Sequence, residues 1–140
     1  MLDSYTDDQL AAMTPSETAH RINEEAPEGV TFRLTEDVTH WDECGIVNGL
    51  ELVTYLHLQE YTDIFKELEG FKPRWIWEGD WRKHFCRSEA RGMVERIIRE
   101  AEDRYHRRME EREAEERRRK QAMRADPLTH NPFAVLKGAV

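Results

Sequence analysis

Between Met93 and Asp126 the chain contains neither glycine nor proline. No other feature restricts its fold as strongly. An uninterrupted stretch this rich in Glu, Arg and Ala reads as one long helix, opened by Ser88-Glu89-Ala90-Arg91. Met93, Val94, Ile97, Ile98, Ala101, Tyr105 and Met109 repeat at steps of three and four and mark one apolar stripe. Beyond Met109 the stripe stops, yet helix-forming residues continue to about Arg124. Acids precede bases at i,i+4 in Glu95–Arg99, Glu100–Arg104, Asp103–Arg107, Glu113–Arg117, Glu115–Arg119 and Glu116–Lys120. Each such pair is worth about 0.2–0.5 kcal/mol when exposed. The spacing therefore predicts a core helix to Met109 and an ion-paired extension beyond it, ended by Pro127.

The upstream sequence is punctuated by helix signals. Thr14-Pro15-Ser16-Glu17 has a hydroxyl at the N-cap, proline at the first helical position and glutamate two residues on. It opens a helix over about 15–25 that stops before Pro27 and Gly29, with a shorter turn around Asp7–Met13 before it. Val30-Thr31-Phe32-Arg33-Leu34 alternates apolar and polar, which fits an extended segment or a tiny two-stranded pairing. Arg74–Trp77 is the candidate second strand. Thr39-His40-Trp41-Asp42 reads as a cap and a single turn up to Gly45. Asn48-Gly49-Leu50-Glu51 caps the best-supported helix, in which Leu50, Val53, His57, Tyr61, Ile64, Phe65 and Leu68 share a face. Leu52, Tyr55 and Leu56 widen its first half, which is expected to be the most buried part. Gly70 suits the left-handed C-terminal position and Pro73 blocks continuation. Phe71, Trp75, Trp77, Trp81 and Phe85 then form an aromatic knot expected to be core, with Asp80 as the cap of a short helix towards Cys86.

The fold class expected is mainly α: a small helical domain with at most one short strand pair and a long C-terminal helix projecting from it. The compact domain is expected over 1–109 with its core at 30–109, the charged extension over 110–126 and a flexible tail over 127–140.

Thr39-His40-Trp41-Asp42-Glu43-Cys44-Gly45-Ile46, followed by a helix and then Tyr61-Thr62-Asp63-Ile64-Phe65-Lys66-Glu67-Leu68-Glu69-Gly70-Phe71-Lys72-Pro73-Arg74, resembles a motif of small tailed-bacteriophage proteins. The pattern there is close to Tyr-x-Asp-x-Tyr-Lys-Asp-x-Tyr-Gly-x-Arg-Pro-Arg. The resemblance covers roughly residues 37–78. It departs at Phe65, at Leu68-Glu69 and at Lys72, changes that keep helix character. It implies a phage origin more than an activity.

Charge is distributed unevenly. Residues 1–80 carry 18 acids and 5 bases, whereas residues 81–140 carry 11 acids and 16 bases, within an overall charge of -8. An acidic front half repels nucleic acid and attracts basic surfaces. The acids are scattered (Asp7, Asp8, Glu24, Glu25, Glu28, Glu36, Asp37, Asp42, Glu43) rather than laid out as a ladder, so solubility explains them at least as well as nucleic-acid mimicry. Arg117-Arg118-Arg119-Lys120 is the densest basic run, but Glu113, Glu115 and Glu116 dilute it, which argues against direct nucleic-acid binding.

No phosphate loop, nucleophile elbow or HExxH helix is present. The expectation is no enzyme and no cofactor. His40, Cys44, His84 and Cys86 could supply two thiolates and two imidazoles to zinc, but their spacings are not those of common zinc modules. The reading preferred is no metal, with reduced, part-buried thiols and surface imidazoles, and His57 as a hydrogen-bonded core histidine. No run approaches the ~18 apolar residues of a membrane span, and the start of the chain lacks a signal pattern. No membrane association and a host-cytoplasmic location, or alternatively the virion, are expected.

These features suit a non-enzymatic phage accessory protein that binds and modulates a host protein complex, as a takeover or anti-defence inhibitor. The alternative is a virion or assembly protein whose long helix and tail bridge subunits. The candidate contacts are Arg74, Arg117, Arg118 and Arg119, with Pro132, Phe133 and Leu136 of the tail's apolar island Asn131–Leu136.

Overall fold

The structure, a computed structural model, describes residues 1–30 and 33–125. Among these residues it contains six α-helices, one 3₁₀ turn and no strand. The helices are α1 (Asp7–Ala11), α2 (Pro15–Glu25), α3 (Val38–Glu43), α4 (Gly49–Glu69), α5 (Trp81–His84) and α6 (Arg87–Ala125). The protein is mainly α with a long C-terminal helix, as its periodicity predicts. The tail residues Pro132, Phe133 and Leu136 lie outside the described residues.

Side-chain caps set the helix starts. Thr6 and Gln9 form a reciprocal capping box before α1, and Thr14 accepts from the Glu17 amide at 3.1 Å before α2. Asn48 accepts from the Glu51 amide at 2.9 Å, and Gly70 ends α4 at φ 82°. The expected cap at Thr39 moves upstream: α3 begins at Val38, and the Asp37 carboxylate accepts from the Thr39 amide at 3.0 Å. Asp80 caps α5.

Of the two strand candidates, the second takes another form, and Thr31 and Phe32 of the first lie outside the described residues. Arg74–Ile76 is a 3₁₀ turn, so it offers no strand edge. Upstream, the amide side chain of Asn23 donates to the Leu34 carbonyl and accepts from the Leu34 amide, both at 2.8 Å. One side chain on α2 thereby does the work of a strand partner. The Trp41 indole adds a bond to the Thr35 carbonyl at 2.9 Å.

The chain divides into two compact units, Met1–Arg99 and Glu100–Val140. In the first, α4 is surrounded by three apolar clusters. Leu52 packs with Ala19, Trp41 and Ile46, Val53 with Leu2 and Leu10, and Leu58 with Ile76, Ala90 and Met93. The first half of α4 is the most buried, as predicted, but the buried set also takes in Thr54 and Thr62. Their hydroxyls turn back onto the Leu50 and Leu58 carbonyls at 2.9 and 2.8 Å, which removes the cost of burying them.

The start of α6 closes the first unit through Arg87, which is only 6% exposed. Its guanidinium donates to the carbonyls of Leu2 (2.6 Å) and Tyr5 (2.8 Å) and faces Asp7 at 3.4 Å. Arg91 pairs with Asp3 at 3.1 Å. The buried residues of α6 end at Ile97. Ile98, Tyr105 and Met109, expected in the stripe that reaches the core, are exposed, and the division after Arg99 falls upstream of the expected boundary at Met109. Within the second unit no described residue is buried. Glu100–Arg104, Glu115–Arg119 and Glu116–Lys120 form ion pairs there at 2.7, 3.0 and 3.4 Å.

Gly49 is needed for packing rather than for a turn. A Cβ there would collide with the Thr18 hydroxyl and come within 2.8 Å of the Leu10 carbonyl. Gly49→Ala is therefore expected to cost about 1–3 kcal/mol by overpacking, read as a lower urea midpoint. An unchanged midpoint would show that α1 and α2 do not press on α4.

His57 departs from the hydrogen-bonded core histidine expected. It is buried, and neither ring nitrogen has a hydrogen-bond partner among the described residues. Burial, with help from the Met1 ammonium, Arg87 and Arg91, lowers its pKa to about 4. The unfolded chain then binds a proton that the folded chain refuses, so stability falls as pH drops from about 6.5 towards about 4. The loss from this group is on the order of 3 kcal/mol. Urea titrations across that window should show a steeper decline for the wild type than for His57→Leu. Parallel declines would refute the assignment.

Candidate functional site

The second half of α4 leads into an aromatic surface. Tyr61 and Phe65 are half-buried on one face of the helix, 5.9 Å apart between ring centres. Gly70 reverses the chain in the left-handed conformation, and Phe71 folds back edge-on against Phe65 at 5.4 Å. Pro73 is buried and leads into the 3₁₀ turn. That turn sends Ile76 into the core and Trp75 outward, where Trp75 meets Tyr61 and Phe85, each at 6.2 Å. Trp77 is held the other way, its indole donating to the Thr62 hydroxyl at 3.2 Å.

The aromatic knot is therefore not all core. Phe71 is 61% exposed and Trp75 is 54% exposed. Between them Lys72 and Arg74 are exposed, and neither makes an ion pair among the described residues. Phe71, Lys72, Pro73, Arg74 and Trp75 line a shallow hollow of about 540 Å³. Two apolar rings bracketing two unpaired cations on a proline-held turn can stack on apolar or aromatic groups and pair with carboxylates. Large aromatics and arginine are the side chains that most often dominate binding energy at protein interfaces.

Among the described residues, Arg74 is thus the one sequence-predicted contact that the fold places in a cluster. Arg117, Arg118 and Arg119 are exposed on α6, but successive helical residues point to different sides, and Arg119 is paired with Glu115. They form no single basic face. The aromatic density around Phe71 and Trp75 predicts core positions for both, and the fold leaves them exposed. The signal to the contrary is their polar neighbours, Lys72 and Arg74, which are exposed in the same short stretch.

His40 and Cys44 approach to 3.8 Å. Both cysteines are exposed and free, not part-buried as expected: Cys44 directly follows α3 and Cys86 directly precedes α6, so neither lies on a packed helix face. Among the described residues no group of three or more His, Cys, Asp or Glu side chains converges as a metal site would. No described helix is long and apolar enough to cross a membrane. Arg82 instead organises this region. It donates to the Gly45 carbonyl, pairs with Glu51 at 3.3 Å and lies over the Trp81 ring at 4.6 Å.

The described residues define a mainly α-helical protein that exposes an aromatic and cationic surface at the end of its central helix. Compared with family models, with curated proteins and with solved structures, the chain matches none.

If Trp75 is held outward rather than used in the core, Trp75→Ala should change stability by about 1 kcal/mol or less. Trp41, only 4% exposed, provides the contrast: Trp41→Ala is expected to cost about 3–5 kcal/mol. Denaturant unfolding of both variants checks this, and equal losses would return Trp75 to the core.

Proposed function

We propose that this protein is a non-enzymatic bacteriophage accessory protein that binds and modulates a host protein complex in the host cytoplasm, and that Phe71–Trp75 is a principal contact. The observation that carries the reading is the pair of exposed aromatics flanking unpaired Lys72 and Arg74. A monomer gains nothing from leaving that much aromatic surface in water. The phage origin is supported by the motif resemblance over residues 37–78, which ends at this same turn. The acids of the front half, from Asp7 to Glu43, are exposed and add long-range attraction for a basic partner.

A second reading, a virion or assembly component, is favoured by one observation: Tyr105, Met109 and Met123 are exposed apolar side chains on α6. Such residues suit helix–helix association between copies or with another subunit.

Affinity purification from infected host cells discriminates the two. The first reading expects a host complex recovered with the wild type and about tenfold less with Trp75→Ala or Arg74→Glu. Many copies in purified particles, with no host protein recovered, would replace it by the second.

A further inference from the structure

A different part of α4 forms one wall of a cleft of about 710 Å³, opposite the end of α2. Its apolar surface includes Ile22, Leu34, Leu56 and Ile64, all only half-buried. Leu34 is held in place by the paired bonds from Asn23. Glu60 and Asp63 rise from the α4 wall. Both are exposed and make no ion pair among the described residues. A third carboxylate, Glu25, lies in the opposite wall and accepts from the Leu2 amide at 3.2 Å. No lysine, arginine or histidine lines the cleft among the described residues; the one positive group on a lining residue is the Met1 ammonium, which lies 3.6 Å from the Asp3 carboxylate.

An apolar floor with a wholly acidic set of charged side chains selects its occupant by charge. A cleft of this volume is large enough for one or two bulky side chains. Glu60 and Asp63 are three residues apart and so are neighbours on the helix surface, spaced to meet cations on one face of an incoming segment. We propose that this cleft binds a basic amphipathic segment of a partner protein, seating apolar side chains among Ile22, Leu34, Leu56 and Ile64 while its lysines or arginines pair with Glu60 and Asp63. The site shares no residue with the Phe71–Trp75 surface, so it stands or falls separately from the function proposed above.

The test uses the full chain and a fluorescein-labelled helical peptide of leucine and lysine, about four turns long. A matched peptide with glutamate in place of lysine is the control. The leucine–lysine peptide should bind the wild type and shift the amide resonances of Leu34, Leu56 and Ile64. Glu60→Lys with Asp63→Lys, both at exposed positions, should leave the fold intact and weaken binding about tenfold, with a smaller salt dependence. Trp75→Ala should leave it unchanged. Four results would overturn the proposal: no binding, equal binding by the double variant, the same shifts at Leu34, Leu56 and Ile64 with the glutamate peptide, or resonance changes confined to other residues. Self-association of the wild type that the double variant abolishes would also overturn it, since the occupant would then be a second copy of this chain.

Discussion

The first unit depends on the burial of α4 from several directions at once. Leu52, Val53 and Leu58 each belong to a different apolar cluster, so α1, α2, α3, the 3₁₀ turn and the start of α6 are all placed by what they pack against on this one helix. A helix buried this widely cannot keep a single apolar stripe. It must also bury polar positions, and Thr54 and Thr62 serve because a threonine hydroxyl can bond to its own helix. His57 has no such route, and its unpartnered ring is the cost left over at the centre.

Closing these clusters leaves polar backbone to be satisfied at the edges. The segment before α1 is short and irregular, with Leu2 at φ 51° and almost fully buried. Its carbonyls face inward, and the fixed fork of Arg87 meets several of them together. Asn23 solves the same problem for the segment around Leu34, and Arg82 for the loop at Gly45. In each case one long or forked side chain replaces regular pairing. A mainly helical fold can thereby hold extended segments against its core.

Much of the architecture was legible in the sequence, because caps and breakers act locally. Thr14, Asn48, Gly70 and Asp80 do their work within one turn of themselves, so their chemistry can be read from neighbours a few residues away. The candidate site was legible only in part. Arg74 could be marked as a cation near a helix end. The outward placement of Phe71 and Trp75 depends on which residues the core has room for, and Ile76 and Trp77 take the inward positions. The cleft beside α2 was not legible at all, since Ile22, Leu34 and Ile64 meet there from three separate stretches of chain.

Sequence by itself determined the helical class, most helix starts and stops, the uninterrupted run of α6 and the acid–base pairs along it. These follow from backbone preferences and from side chains three or four residues apart. Tertiary structure alone decided how far along α6 the core extends, which aromatics stay in water, that Gly49 must lack a side chain and that Arg87 is buried. The reason is physical: burial is shared among residues distant in sequence, and each cluster around α4 fills with whichever side chains reach it.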